Sequence, residues 1–221
     1  MVRCGIDTSL TALFVVFALM IATPALAGPP LLCHPFEIGT ARSLPWDGTQ
    51  WWRGRPDYKL TNLVADTEAL LTSSTPIIVR METLRRAVLY ASQDRAVATR
   101  LFVTTMDRVQ NLRKSGHPDA LTLFDAAYVT TALQQVRALG DMSEFRGRWQ
   151  IVDGVVGDAN GYALIEESLK LRPDDPTLEF AAAVIAAGDK AHRSAYDKHA
   201  RKARAGANED ALLARNLDHV S

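Results

Sequence analysis

The chain has 221 residues, of which 48% are hydrophobic and 23% charged, a composition typical of one sizeable globular domain or two small ones. This composition excludes disorder over most of the chain. Its 25 Lys and Arg residues balance 25 Asp and Glu residues, so no net charge attracts it to nucleic acid or to an anionic membrane. Two cysteines exclude a disulfide-dense scaffold and a cysteine-rich metal domain.

Residues 1–27 have the pattern of a secretory signal peptide. An apolar run at residues 10–21 follows Arg3, and it is shorter than the ~20 residues that a membrane span needs. The sequence Ala-Leu-Ala at 25–27 has the small residues that signal peptidase accepts. We therefore expect cleavage after Ala27 and a mature protein in the periplasm or the extracellular space, without a membrane span.

Cleavage removes Cys4 and leaves Cys33 as the single thiol of the mature chain. Three interpretations remain for this thiol: it is buried and inert, it binds a metal or cofactor beside His34, or it forms an intermolecular disulfide. The first is favoured because free cysteine is among the most buried residue types. Covalent haem is excluded because Pro30 stands where the second cysteine of that motif would be.

Residues 28–56 are rich in proline and glycine and have no helical period, which predicts an irregular N-terminal arm. Three of the chain's four tryptophans lie in this arm, and their side chains are expected to be buried. They either cover the hydrophobic seam of the helices that follow or form an aromatic ligand pocket. The candidate ligand-binding residues all lie in this arm: Cys33, His34, Trp46, Trp51 and Trp52.

Helical periodicity extends over residues 57–139, where apolar residues recur at i, i+3, i+4 and i+7. Short connections divide this range into four antiparallel helices that form one domain. We expect Asp57, Thr75 and Asp94 to cap the first three helices and Pro118 to begin the fourth. The predicted shared core includes Leu63, Leu84, Leu101 and Phe124.

The periodicity is lost over residues 140–158, which we interpret as a linker. Its part 148–156 is the only stretch of the chain that resembles a strand, but a strand without a partner cannot satisfy its backbone hydrogen bonds. Helical periodicity then returns, with caps expected at Asp158 or Asn160 and at Asp174 or Asp175. Residues 159–221 are therefore predicted to form C-terminal helical hairpins.

Within these hairpins, small, apolar, small and proline residues follow one another at fixed spacing: Gly161, Ile165, Ser168 and Pro173. This pattern resembles the second helix of a tetratricopeptide repeat, and the resemblance covers residues 159–205. The Asp-Asp-Pro sequence that follows is similar to the turn between two such repeats, whereas the N-terminal helices show no fixed repeat period. The resemblance implies stacked helical hairpins that bind a protein or peptide on a concave face.

One pattern of oxygen-bearing residues is similar to a calcium-binding loop. Asp158, Asn160 and Glu167 stand at the spacing of such a loop, but its first position is Val156, which has no carboxylate. We therefore favour an ordinary helix cap at Asp158 or Asn160 over a calcium site.

Histidine and basic residues are concentrated near the C terminus. His192 and His199 are seven residues apart, which places them on one face of a predicted helix, where they can form a site with His34 or Asp197. Six Lys and Arg residues within 190–204 stand against Asp197 alone. We interpret them as the solvated face of a capping helix, and the alternative is a surface for acidic glycans, lipid headgroups or an acidic partner.

The sequence contains no nucleophile elbow, phosphate loop, dinucleotide fingerprint or zinc helix motif. We therefore predict an exported, all-α protein of stacked antiparallel helical hairpins with an irregular aromatic arm. It is expected to act as a non-catalytic binding or assembly module for a protein or peptide partner, without a cofactor or a resident metal. The alternative is a small exported enzyme, or a ligand- or metal-binding protein, whose site lies under the arm near Cys33 and His34.

Overall fold

The computed structural model describes residues 30–188 and 191–220. Regular secondary structure in these ranges is helical, and their one β pairing is an isolated antiparallel bridge between Trp46 and Gly54. The prediction of an all-α protein is confirmed for this part of the chain. The α-helices are α1 (Leu63–Leu70), α2 (Ile77–Ala91), α3 (Arg95–Lys114), α4 (Ala120–Gln135), α5 (Arg148–Val152), α6 (Gly161–Leu171), α7 (Pro176–Gly188), α8 (Tyr196–Gly206) and α9 (Ala211–Asn216).

The described helices include none with the length and apolar character needed to cross a membrane. The predicted signal peptide, residues 1–27, lies outside the residues that the structure describes.

Three of the predicted helix caps are confirmed. The side chains of Asp94 and Asn160 accept hydrogen bonds from backbone N–H groups three residues further on, at 3.0 Å each. Asp175 likewise accepts from the backbone N–H of Thr177 and Leu178. Each acidic or amide oxygen satisfies a donor that has no partner inside its own helix, which is why these positions could be read from the sequence.

The predicted starts of the other helices are wrong by one to a few residues. A 3-10 turn precedes α1, whose cap position is held by Asn62, while Asp57 forms an ion pair with Arg55. Thr75 does not cap α2, because its hydroxyl donates to the Leu70 carbonyl and closes the turn after α1. The fourth helix is capped by Asp119, whose side chain accepts from Thr122.

The helices α2, α4 and α7 form the centre of the molecule and contact one another. In α2 every side chain except Arg86 is buried, and in α4 every side chain except Gln134. Because α2 and α4 are buried on all faces, other parts of the protein must surround them, and these are the remaining helices and the N-terminal residues. One continuous core results, and it includes all four residues predicted to share it: Leu63, Leu84, Leu101 and Phe124.

The segment predicted as a linker, residues 140–158, is packed against the helices. It contains a 3-10 turn at Ser143–Phe145 and the short helix α5, and the Phe145 ring is fully buried. The guanidinium of Arg137 lies 5.4 Å from the centroid of the Trp149 ring on α5. The stretch that resembles a strand is therefore helical at its beginning, where aromatic packing holds it.

Residues 30–56, called here the N-terminal segment, form no helix and lie against the central helices. Their apolar anchors are buried side chains: Leu31, Leu32, Phe36 and Leu44. At its middle, the backbone N–H of Glu37 donates to Asn216 Oδ1 at 2.8 Å, and Asn216 Nδ2 donates to the Glu37 carbonyl at 2.9 Å. The segment thus contacts α9 as well as the central helix α2.

Candidate functional site

The N-terminal segment is held by buried charged side chains of α2. Glu82 accepts from both Nε and Nη2 of Arg85, at 2.7 and 2.9 Å, and from Nε of Arg86 at 2.6 Å. Burial alone would raise the pKa of Glu82, but the hydrogen bonds and charges of the two arginines outweigh burial and lower it. A carboxylate shared by two guanidinium groups is therefore kept ionised inside the protein.

These side chains also satisfy the backbone of the N-terminal segment. Arg85 Nη1 donates to the carbonyls of Leu32 and Trp51, at 3.1 and 2.7 Å, and Arg86 Nη1 donates to the Leu44 carbonyl at 2.6 Å. The Phe36 N–H donates to Glu82 Oε2 at 3.1 Å. Buried backbone groups need such partners, so α2 fixes the path of the segment over the helices.

The three tryptophans of the N-terminal segment are half-buried and lie in different surroundings. Trp46 meets the Tyr90 ring edge-on at 5.4 Å, with the Arg85 guanidinium 5.2 Å from its centroid. Trp51 stacks on the buried Phe145 ring at 5.7 Å. Trp52 lines a cleft whose walls include neither of the other two. Two of the tryptophans therefore cover the helices, and the third borders a space that a ligand can enter.

This cleft has a volume of about 320 Å³ and lies between the end of the N-terminal segment, α2 and α5. Its walls combine aromatic and basic side chains, and we call it the arginine cleft. The lining residues include Trp52, Arg53, Arg55, Tyr58, Tyr90 and Arg148.

A tight hairpin shapes one wall of the arginine cleft. Trp46 and Gly54 pair at its base, and Gly48 turns the chain with a φ of +82°. A Cβ on Gly54 would lie 2.3 Å from the Tyr90 ring, so only glycine allows the hairpin to approach this closely. The Tyr90 hydroxyl donates to the Pro45 carbonyl at 2.7 Å and accepts from the Arg55 N–H at 2.8 Å, which fixes both arms of the hairpin.

The three arginines of the cleft differ in their partners. Arg55 pairs with Asp57 at 2.7 Å and Arg53 with Asp47 at 3.5 Å, and all four side chains are solvent-exposed to a substantial degree. Arg148 is half-buried and contacts the Phe145 ring, 4.7 Å from its centroid, and Ser92 Oγ at 3.4 Å. Burial lowers the pKa of Arg148, and its contacts in the described part of the chain include no carboxylate.

Sequence reasoning identified Trp52 but not the other residues of the arginine cleft. The order Trp51-Trp52-Arg53-Gly54-Arg55 already joins aromatic and basic residues, and it was the signal available for this wall. Arg148 lies in the segment interpreted as a linker, and nothing in the sequence indicated that α5 would place it in the same cleft as Trp52.

Cys33 and His34, the other predicted site residues, lie away from the arginine cleft. Burial raises the pKa of the half-buried Cys33 thiol to about 11, against a lowering effect from Arg85. His34 borders a second cleft of about 200 Å³ together with Pro35, Asp218 and His219, which we call the histidine cleft. Of the five predicted site residues, Trp52 lines the arginine cleft and His34 lines the histidine cleft, while Cys33 lies next to Leu32, whose carbonyl shares the Arg85 donor with Trp51.

The C-terminal histidines form a third arrangement around α8. His199 is buried, with Nδ1 2.5 Å from Glu179 Oε2 and Nε2 3.0 Å from the Tyr162 hydroxyl. Lys202 donates to the other oxygen of Glu179 at 2.7 Å. A cleft of about 250 Å³ lies beside this cluster. The cluster joins α6, α7 and α8, and each of the two ring nitrogens of His199 has a hydrogen-bond partner.

The predicted face shared by His192 and His199 is wrong, because α8 begins at Tyr196 and His192 lies before it. The His192 ring instead stacks on Tyr162 at 4.1 Å. The calcium-like pattern is also explained by other contacts, since Asn160 caps α6 and Glu167 pairs with Arg113. Within residues 30–188 and 191–220, no group of three or more His, Cys, Asp or Glu side chains is placed to hold a metal ion.

Comparison with protein-family models, with curated proteins and with solved structures finds no match to this chain.

Proposed function

We propose that the protein is an exported, non-catalytic helical module that binds a protein or peptide, and that an anionic group of this ligand enters the arginine cleft. Arg148 carries the proposal. It is a half-buried guanidinium that borders a cleft and contacts no carboxylate among the described residues. A partly desolvated cation is stabilised by an anion that completes its hydrogen bonds.

The walls of the arginine cleft define the rest of the ligand. Trp52 and Tyr58 are half-buried and offer apolar ring surface beside the guanidinium. The Tyr58 hydroxyl donates to Asp66 at 2.7 Å, so the ring is held in place before any ligand binds. A carboxylate next to an apolar side chain, as in an acidic peptide, fits this combination of an aromatic wall and a basic end.

The packing of the C-terminal helices supports the stacked hairpins that the tetratricopeptide-like residues predict. α7 contacts both of its neighbours in the chain, α6 and α8. A Cβ on Gly206 would lie 2.4 Å from Pro176, and one on Gly161 would lie 2.0 Å from Thr131 Oγ1, so small residues allow close helix approach at both places. Export is supported by the signal-peptide pattern of residues 1–27.

The test compares two capped dipeptides that differ only in charge, acetyl-Leu-Glu-amide and acetyl-Leu-Gln-amide. Binding is followed by the shift of the Trp52 indole N–H signal in NMR spectra, assigned with Trp52→Phe. A hydrogen bond to a charged group contributes about 1.5–3 kcal/mol, so the acid is expected to bind roughly tenfold or more tightly than the amide.

The variant Arg148→Gln should remove this preference for the acid. Arg146→Gln is the matched control, because Arg146 is exposed, lies two residues away and does not border the cleft. Equal binding of the two peptides to the wild-type protein contradicts the proposal, as does an equal loss in the two arginine variants.

A further inference from the structure

We propose that His34 and His219 bind one divalent late transition-metal ion in the histidine cleft. This site is separate from the arginine cleft, and the two clefts share no lining residue. It joins the N-terminal segment to the 3-10 turn at Leu217–Val220, the last described turn of the chain.

The two imidazole rings are close enough for one ion to contact both. Their centroids are 6.0 Å apart, with the ring planes at 88°. Metal–nitrogen bonds of about 2 Å from each ring span a separation of this size. Asp218 also borders this cleft, but it does not join the two histidines in a group of three side chains placed to hold a metal ion.

His219 offers a ring nitrogen that the protein itself does not use. Its Nδ1 is buried and has no hydrogen-bond partner in the described part of the chain. A buried polar atom without a partner costs stability unless a ligand or water satisfies it. A bond from His219 Nδ1 to a metal ion would satisfy this buried atom.

The surroundings of His219 hold its ring in a fixed position. The ring stacks on Phe36 at 4.7 Å and meets Phe180 edge-on at 6.2 Å. Phe36 also packs edge-on against Phe180 at 6.1 Å, so the three rings form one cluster. A ligand whose orientation is fixed in advance loses less entropy on binding a metal.

Two imidazoles leave several coordination positions to water or to an external ligand, because the described residues include no third side chain placed to complete a site. Imidazole nitrogen suits zinc, nickel and copper, and the affinity of any such site is highest for Cu²⁺. Cu²⁺ is therefore the most sensitive probe: a site that fails to bind it will not bind the other first-row divalent ions.

The experiment titrates untagged protein with Cu²⁺ and records electron paramagnetic resonance spectra. Both cysteines, Cys4 and Cys33, are replaced by serine throughout, because thiols reduce Cu²⁺. We expect one equivalent of copper with hyperfine coupling from two imidazole nitrogens. His34→Gln and His219→Gln should each weaken binding at least tenfold and leave coupling from one nitrogen.

His117→Gln is the matched control, because His117 is exposed and lies outside the histidine cleft. Zn²⁺ titration of the protein with its cysteines intact checks that the thiols are not ligands: its affinity should equal that of the serine variant. The circular dichroism spectrum of each variant verifies that the helices are retained.

The proposal is overturned if the double variant His34→Gln/His219→Gln binds Cu²⁺ as tightly as its parent. Coupling to no nitrogen, or loss of Zn²⁺ binding in the serine variant, overturns it equally. Arg148→Gln should leave copper binding unchanged, so this test is independent of the peptide proposal.

Discussion

Arg80 of α2 and Asp125 of α4 form a bidentate ion pair, with Nε–Oδ1 and Nη2–Oδ2 distances of 2.9 and 2.6 Å, and both side chains are at most 2% exposed. Arg80 Nη1 also donates to the Thr72 carbonyl at 2.6 Å. The pair therefore joins α2 and α4, two of the three central helices, and the turn before α2.

Asp125→Ala should destabilise the protein by about 3–5 kcal/mol, because it leaves the Arg80 guanidinium buried without its counter-ion. Chemical denaturation followed by circular dichroism measures the loss. Glu167→Ala is the control, since it removes the carboxylate from the exposed pair with Arg113 and should cost only ~0–1 kcal/mol. If both variants lost a similar free energy of unfolding, the buried Arg80–Asp125 pair would be no more important for stability than an exposed pair.

Glu82 should make stability depend on acid pH. Its pKa is lower in the folded protein than in the unfolded chain, so the unfolded chain binds the proton more readily. The stabilisation is fully present above the unfolded value of about 4.3 and is lost as the pH falls through the folded pKa. The free energy of unfolding should therefore decline in this acid range.

Glu82→Gln should be less stable than the wild type at pH 7 but should show a shallower decline in acid. Urea unfolding at a series of pH values measures how steeply the free energy of unfolding declines in the wild type and in the variant. Glu68→Gln, on the exposed surface of α1, serves as the control variant. An unchanged slope in Glu82→Gln would show that other carboxylates dominate the acid dependence.

Tyr90→Phe should loosen the hairpin of residues 46–54. The variant removes a hydroxyl that bonds to both Pro45 and Arg55, and leaving their backbone groups without this partner should cost about 1–3 kcal/mol. Faster hydrogen exchange at the Arg55 N–H is the direct measurement. Tyr196→Phe is the control, because it removes the same hydroxyl from a half-buried tyrosine that forms no such pair of bonds to the hairpin. Equal exchange rates in both variants would refute this role.

Cys33 should react slowly with iodoacetamide in the native protein at pH 8. The thiolate is the reactive form, and a pKa of about 11 leaves little of it at that pH. The alkylation rate of a Cys4→Ser protein should rise as the pH increases towards 11, and denaturant should raise it at pH 8. A native rate equal to that in denaturant would show that the thiol is neither buried nor perturbed.

The sequence predicted helix type and several boundaries because those depend on neighbouring residues. Asp94 and Asn160 could be assigned as caps because the donor that each satisfies is only three residues away. The burial of Arg80 could not be predicted, because its partner Asp125 is 45 residues away and periodicity alone does not distinguish a solvated charge from a paired one.

The candidate site shows the same limit. Aromatic residues in a proline-rich segment predicted burial, and this led to Trp52. That Arg148 and Trp52 line one cleft depends on how α5 packs against α3, which is a tertiary contact with no local signal. His34 and His219 are separated by almost the whole chain, so only the folded structure shows that they share a cleft.

The paired hydrogen bonds between Glu37 and Asn216 have a consequence for biosynthesis. Their partners are 179 residues apart, so nearly all of the chain must be synthesised before the contact can form. Contacts between residues so far apart in sequence form late, because closing a long loop costs conformational entropy before the contact contributes any stabilising energy. The bonds of the N-terminal segment to Glu82, Arg85 and Arg86 of α2 need far less of the chain, so they can form during synthesis before Asn216 has left the ribosome. The segment is therefore expected to be positioned by α2 first and fastened by Asn216 last.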